Sequence, residues 1–259
     1  MRTMSRNPFR GPCEPPALPA LRQWYRQPLG QALQDRELEA VRAILPTLFG
    51  YHLAVVDSPW PDLPQDALRI RNAWHVDSTR GAVTSLLGEA GRLPVRTDCL
   101  DAIVLPHVLE FSSDPHAILR EADRCLVPEG HLLILGFQPW GLWGLRRLAS
   151  AWRGQPPWCG RWLSVGRVRD WCRLLGFDVL EIRHLFHRPP ISRTRIAARA
   201  LFLERLAERG WPLPTGVWLL LARKRVIGLT PIRPRWRPRR SILSPLPGVA
   251  EPTRRSCRK

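Results

Sequence analysis

The chain holds almost no lysine: of its 40 basic residues only Lys224 and Lys259 are not arginine. Tyrosine and methionine are scarce as well, with two of each. No cysteines stand in a CxxC pair. The six that exist (Cys13, Cys99, Cys125, Cys159, Cys172 and Cys257) lie far apart, which argues against a zinc site and against a disulfide framework. Reduced thiols in a cytoplasm are expected. No apolar run reaches the ~18 residues that a membrane span needs. The longest candidate, around His131–Leu145, is broken by Gly136, Pro139 and Gly141. At the N-terminus, MRTMSRNPFRGPCEPPALPAL has proline where the apolar core of an export signal belongs, so export is not expected.

What is present points to a folded body with a basic end. With 259 residues, 44% of them apolar, the chain suffices for one large α/β domain or two small ones with a sizeable core. The formal charge is +18. Residues 223–259 carry 12 Arg or Lys against the single acid Glu251, a surplus of 11, which leaves 7 for the rest of the chain. The arginine bias fits genomic nucleotide composition as well as it fits selection for charge. The tail after Gly228 is too rich in proline and charge to pack, and an anionic partner such as nucleic acid or a membrane surface is one reading of it. Solvation is the other.

Residues 1–17 read as a disordered, Pro-rich N-terminus. Residues 18–228 read as the domain, with a helical lead-in over 18–50 interrupted near Pro28-Leu29-Gly30. Strands are predicted at 51–56, 67–76, 83–87, 101–106, 131–137, 177–186 and 216–226. Helices are predicted at Gly141–Ala151, Val165–Leu175 and Ala197–Arg209. The clearest unit is Asp101–Phe137. Ala102–Leu105 is an apolar run suited to a strand buried on both faces. Asp114-Pro115 is a helix start, with Asp at the N-cap and Pro at the first helical position. Ile118, Leu119, Ala122, Cys125 and Leu126 then share one helix face, VPEG reads as a turn, and HLLILGF is a second buried strand. This strand–helix–strand unit forces a parallel pair. Helices are expected between most of the first five strands. The whole reads as a doubly wound, seven-stranded α/β sheet whose last strand is antiparallel.

The run GEAGRLPVRTDCLDAIVLPHVLEFSSDPHAILREADRCLVPEGHLLIL, Gly88 to Leu135, resembles the type 11 methyltransferase domain of the class I S-adenosylmethionine-dependent enzymes. The likeness rests on Leu93-Pro94, Asp98, Asp101, Leu109-Glu110, Asp114-Pro115, Leu119, Glu121, Arg124, Leu126, Pro128 and Gly130 as a set. The lead-in and the pattern LFGYHL are similar to a bacterial subgroup whose members mostly lack an assigned substrate. The resemblance implies a Rossmann-like fold, S-adenosylmethionine as cofactor and an unidentified methyl acceptor.

It also implies where the cofactor lies: outside the carboxyl ends of the strands, where the strand order reverses. The cofactor-binding half is then 51–137 and the acceptor side 138–228. By this likeness Asp57 supplies a carboxylate for the cofactor's amino group and Asp77 the acid for the ribose hydroxyls. Glu89-Ala90 holds the adenine, and Pro106 and His107 face the transferred methyl. His107 is also the candidate general base. The departure is the first turn. VVDSPWPDLP has no glycine, and Pro59, Pro61 and Pro64 stand where amide donors would be useful. A member of the fold that binds a partner without chemistry is therefore the alternative. Glu110 reads as structural. Trp140, Trp143, Trp152, Trp158, Trp162 and Trp171 read as helix packing ahead of an acceptor pocket. His184 and His187 are too weakly spaced with Asp178 and Glu181 to make a metal site.

Overall fold

Gly30 settles how the lead-in folds. Two helices open the computed structural model, α1 (Ala17–Tyr25) and α2 (Pro28–Ile44). Pro28 sits in the first turn of α2, where its missing N–H costs nothing. A Cβ at Gly30 would lie 2.4 Å from the Trp24 carbonyl oxygen, so only glycine lets the helices close on each other there. The structure describes residues 17–81, 83–150, 155–190 and 215–226, all within a compact unit ending at Val226. The N-terminal stretch expected to be disordered, up to residue 16, lies outside the described residues. So do the helix expected at Ala197–Arg209 and the basic tail.

Seven strands form one sheet in the order 3-2-1-4-5-7-6. They are β1 (His52–Val56), β2 (Asn72–Asp77), β3 (Leu86–Leu87), β4 (Leu100–Pro106), β5 (Leu126–Phe137), β6 (Phe177–Leu185) and β7 (Val217–Lys224). β1 pairs in parallel with β2 and β4, and β4 with β5, while β7 runs antiparallel to both β5 and β6. This is the Rossmann-like sheet with an antiparallel last strand that the sequence predicts. From β1 the chain runs outward to β2 and β3, then crosses back to β4 on the other side of β1, and this reversal opens a crevice at the carboxyl ends of β1 and β4.

Strand alternation divides the core in two. Leu53, Val55, Ala102, Val104, Leu133, Leu135, Leu219 and Leu221 face the side covered by α1 and α2. Ala54, Val56, Ile103, Leu105, Leu132, Ile134 and Leu220 face the side covered by α4 (Pro115–Cys125) and α6 (Val165–Leu174). As predicted, Asp114 caps α4, its carboxylate accepting from the Ala117 amide at 3.0 Å. Trp143 of α5 (Leu142–Ser150), Trp158 and Trp162 lie in the core with Phe137, while Trp140 is 73% exposed. These three pack more completely than the half-exposed packing expected; Trp171 is half-buried, and Trp152 lies outside the described residues.

Three expectations need correction. VPEG is no free turn: β5 begins at Leu126, which pairs with Leu100, and passes through these residues with a register shift and a left-handed Glu129. Among the described residues, helices separate only one pair of the first five strands, β4 and β5. A short 3-10 turn, Gln65–Ala67, stands between β1 and β2. Cys99, Cys125 and Cys172 are free thiols, but Cys159 is disulfide-bonded, against the expectation of six reduced cysteines.

Gly136 on β5 faces Trp218 on β7, and a Cβ there would come within 2.3 Å of the indole. The indole cannot swing away cheaply, because its Nε1 donates to the Leu163 carbonyl at 3.0 Å. Gly136→Ala is expected to destabilise the chain by about 2 kcal/mol through overpacking, read as a lower denaturation midpoint at unchanged slope.

Candidate functional site

The loops that follow β1, β2, β3 and β4 enclose a cavity of about 1050 Å³ at the carboxyl end of the sheet. Each loop contributes lining: Asp57 after β1, Ser78 and Thr79 after β2, Glu89 to Arg92 after β3, and His107, Val108, Phe111 and Ser112 after β4. Leu18 and Leu21 of α1 close one side, and Cys159, Gly160 and Arg161 another. The volume suits a cofactor-sized ligand with room to spare.

The first turn takes another path from a glycine-rich one. Asp57 itself adopts the left-handed backbone, φ 44, at a cost of roughly 1–2 kcal/mol for a side-chain-bearing residue. Its Oδ1 accepts from the Ser78 amide at 2.7 Å and the Ser78 hydroxyl at 2.8 Å. Burial raises its pKa, against the lowering effect of those two donors. Beyond it the chain dives inward: Ser58 and Trp60 are buried, the Trp60 amide donates to Ser58 Oγ at 3.1 Å, and Arg22 Nε donates to the Ser58 carbonyl at 2.9 Å. The turn is thus held from below by the lead-in, and the Trp60 amide is spent within the turn.

Asp77, read from the sequence as the ribose acid, ends β2 but does not line the cavity. Its side chain is fully buried, paired with Arg22 Nη2 at 3.0 Å and accepting from Thr84 Oγ1 at 2.6 Å. The carboxylate is turned into the protein, and the residues that line the cavity here are its neighbours Ser78 and Thr79, with Asp57. Pro106, likewise, is buried at the end of β4, opposite Leu135, and does not reach the cavity.

Glu89 and Ala90 do line it, on a tight turn in which the Arg92 amide donates to the Glu89 carbonyl at 2.8 Å. Two side chains of α4 hold this loop. Glu121 Oε1 accepts from the Leu93 amide at 2.8 Å, and Arg124 Nη2 donates to the Val95 carbonyl at 2.9 Å and to Glu121 at 2.6 Å. The Arg124 hydrogen bond keeps the Glu121 pKa below the usual range.

His107 lies at the mouth of β4 but is only 1% exposed, with a left-handed backbone, φ 59, that turns the strand into α3 (Val108–Phe111). Its Nε2 is 2.8 Å from Glu37 Oε1 and its Nδ1 is 3.0 Å from Glu110 Oε2. Glu37 also accepts from Tyr25 at 3.0 Å and from Trp60 Nε1 at 2.9 Å, and Glu110 accepts from the Phe137 amide. Burial alone would lower the imidazole pKa. The two carboxylates overcome it and raise the pKa to about 9. Both ring nitrogens face buried carboxylate oxygens, so neither is presented free to a substrate, which weighs against the general-base reading of His107.

The lead-in's part in the site escaped the sequence reading. Glu37 carried a signal, since it falls on the apolar stripe of α2 between Leu33 and Val41, where an acid needs a buried partner. Arg22 carried none. The raised His107 pKa has a sign for stability: the contribution is full below the unfolded value of 6.5 and is lost as pH rises through about 9. Thermal midpoints measured from pH 6 to pH 10 are expected to fall across that window, and to fall less steeply in His107→Gln.

Residues 62–134 match the type 11 family described as a methyltransferase domain. The uncharacterized protein YafS of Escherichia coli (strain K12) is 29% identical over 207 residues, 80% of this chain and 82% of that one. Among solved structures, the Haloferax volcanii chain in complex with the Trm112 methyltransferase activator superposes with a TM-score of 0.55 at 17% identity, covering 80% of this chain and 98% of that one. A SAM-dependent methyltransferase of Thermotoga maritima, described as a possible histamine N-methyltransferase, gives 0.52 at 17% identity over 73% and 88%. The cyclase SpnF gives 0.51 at 18% over 73% and 80%. The structural likenesses carry the fold alone, a Rossmann-like sheet shared with these methyltransferases, and the sequence match to the type 11 model covers residues 62–134.

Proposed function

We propose that the chain binds S-adenosylmethionine in the cavity at the carboxyl ends of β1 to β4 and transfers its methyl group to an acceptor. The observation that carries this reading is the convergence of four strand-end loops on one cavity at the point where strand order reverses. The donor set fits most of the cofactor. Glu89 and the Ala90 amide suit the adenine, and Asp57, Ser78 and Thr79 suit the ribose hydroxyls in place of the buried Asp77. The methionine end lacks the amide donors of a glycine-rich turn.

When bound, the cofactor supplies an electrophilic methyl on a cationic sulfur. The chain's residues then have two tasks, to orient an acceptor in line with that methyl and to exclude water, and neither needs a dedicated base. Phe111, Ser112 and Arg161 line the wall open to an acceptor. SpnF, a cyclase on the same fold, shows why the acceptor cannot be taken from the fold. A second reading, a binding module without transfer, is favoured by the Arg22–Asp77 pair, which occupies the acid the family uses for ribose.

Calorimetric titration with S-adenosylmethionine is expected to show saturable binding, weakened about tenfold by Glu89→Ala through loss of a hydrogen bond to a charged group. No heat at millimolar ligand would contradict the reading and favour the second one.

A further inference from the structure

The helical lead-in looks in sequence like an appendage to the methyltransferase sheet. In the fold it reaches the ends of three strands with charged side chains: Arg22 meets the end of β2 and the loop after β1, and Glu37 meets the end of β4 and that same loop. Glu37 is fully buried, and so is every group around it. A carboxylate in such surroundings is tolerated only when donors saturate it. Its donors come from α1 (Tyr25), from the loop after β1 (Trp60) and from the end of β4 (His107).

We propose that Glu37 is a positioning residue for the cavity: together with Glu110 it holds His107 as an imidazolium at neutral pH, so that the floor beneath the strand ends carries a fixed charge pattern there instead of a free base. Geometry carries the inference. Carboxylates accept and do not donate, and the two ring nitrogens face carboxylate oxygens on opposite sides at 2.8 and 3.0 Å. With both carboxyls ionised, a neutral imidazole would leave one of those buried oxygens facing a lone pair; burial raises the Glu110 pKa, and the charge on His107 acts against that rise. The groups around the ring agree. Tyr25, whose pKa burial raises, stays a neutral donor. The ring of Phe137 lies with its centroid 4.2 Å from that of the imidazole, an arrangement favourable to a cation. Arg147 of α5 is within electrostatic reach of Glu110, and its Nε is bonded to the Gly160 carbonyl. The raised His107 pKa, about 9, points the same way.

What Glu37 positions is the cavity itself. His107 sets the left-handed step that brings Val108 and Phe111 to the cavity wall, and Trp60 anchors the glycine-free turn that starts at Asp57. One buried carboxylate therefore links the loops after β1 and β4. The lead-in supplies from outside the sheet the constraint that a glycine-rich turn supplies from within it.

The test uses the full chain labelled with ¹⁵N at histidine, with the His107 signal assigned by its loss in His107→Gln. Long-range proton–nitrogen spectra are recorded from pH 6 to pH 10. Native His107 is expected to keep both ring protons through pH 8, whereas in Glu37→Gln it becomes a neutral tautomer at or below that pH. Tyr25→Phe removes a neutral donor from the same carboxylate and keeps the charge, so His107 should stay doubly protonated there. Binding of S-adenosylhomocysteine is measured in parallel. It is expected to weaken about tenfold in Glu37→Gln and to stay within about twofold of native in Tyr25→Phe. Equal effects of the two variants on His107 and on binding would reduce Glu37 to packing and overturn the proposal. Should Glu37→Gln not fold, Glu37→Asp replaces it, with an intermediate His107 pKa expected. A native His107 that titrates near 6.5 overturns the proposal without any variant. The ligand arm rests on the S-adenosylmethionine reading and the imidazole arm does not. A native chain that binds no cofactor therefore defeats that reading, while the His107 titration still decides this one.

Discussion

A carboxylate shut away from water has to be met by hydrogen-bond donors, and Glu37 is met by three from separate parts of the chain. That requirement ties α1, α2, the loop after β1 and the end of β4 into one block. Losing one partner would leave a buried charge unpaired, which is far costlier than losing an exposed ion pair. The loops at the carboxyl end of the sheet are held by charged and aromatic groups that point down into the body, and Asp57, Ser78, Thr79 and Glu89 line the cavity.

The glycine-free turn shows how such a block changes local rules. Glycine serves a cofactor turn because it accepts left-handed backbone and lets amides approach a ligand. Here Asp57 takes the left-handed conformation itself, steadied by two hydrogen bonds from Ser78, and the prolines that follow route the chain inward to Trp60. The prolines give up amides that this path would have buried in any case. A turn that looks degenerate by motif is thus well determined by its surroundings, at the expense of donors for the far end of a cofactor.

Much of the fold was legible in the sequence because the relevant signals are local. Apolar runs such as Ala102–Leu105 and HLLILGF mark buried strands, Asp114-Pro115 marks a helix start, and Pro28 marks the break between the lead-in helices. Six of the seven strands lie within or close to their predicted ranges, and β5 starts five residues ahead of its range. The motif residues Leu93, Glu121 and Arg124 were recognisable as a set, and the structure supplies their reason: they clamp the loop that carries Glu89. What stayed hidden depends on contacts between distant residues. Nothing near Asp77 announces that Arg22, 55 positions earlier, takes its carboxylate. Nothing near His107 announces Glu37, 70 positions away. A residue's type and place suggested a base at His107 and a ribose acid at Asp77, and in both cases the side chain meets a charged partner from the lead-in.

The domain thus has a methyltransferase fold in which an N-terminal helix pair is bonded to the strand ends, with Asp57, Ser78 and Thr79 at the cavity and Asp77 buried beside them. Solving the chain in complex with S-adenosylhomocysteine tests this most directly. The expected result places the ligand among the strand-end loops, adenine beside Glu89 and Ala90 and ribose beside Asp57 and Ser78, with Arg22 still on Asp77 and Glu37 still on His107. A ligand lying elsewhere, or ribose hydroxyls seated on an Asp77 that Arg22 has left, would contradict the account.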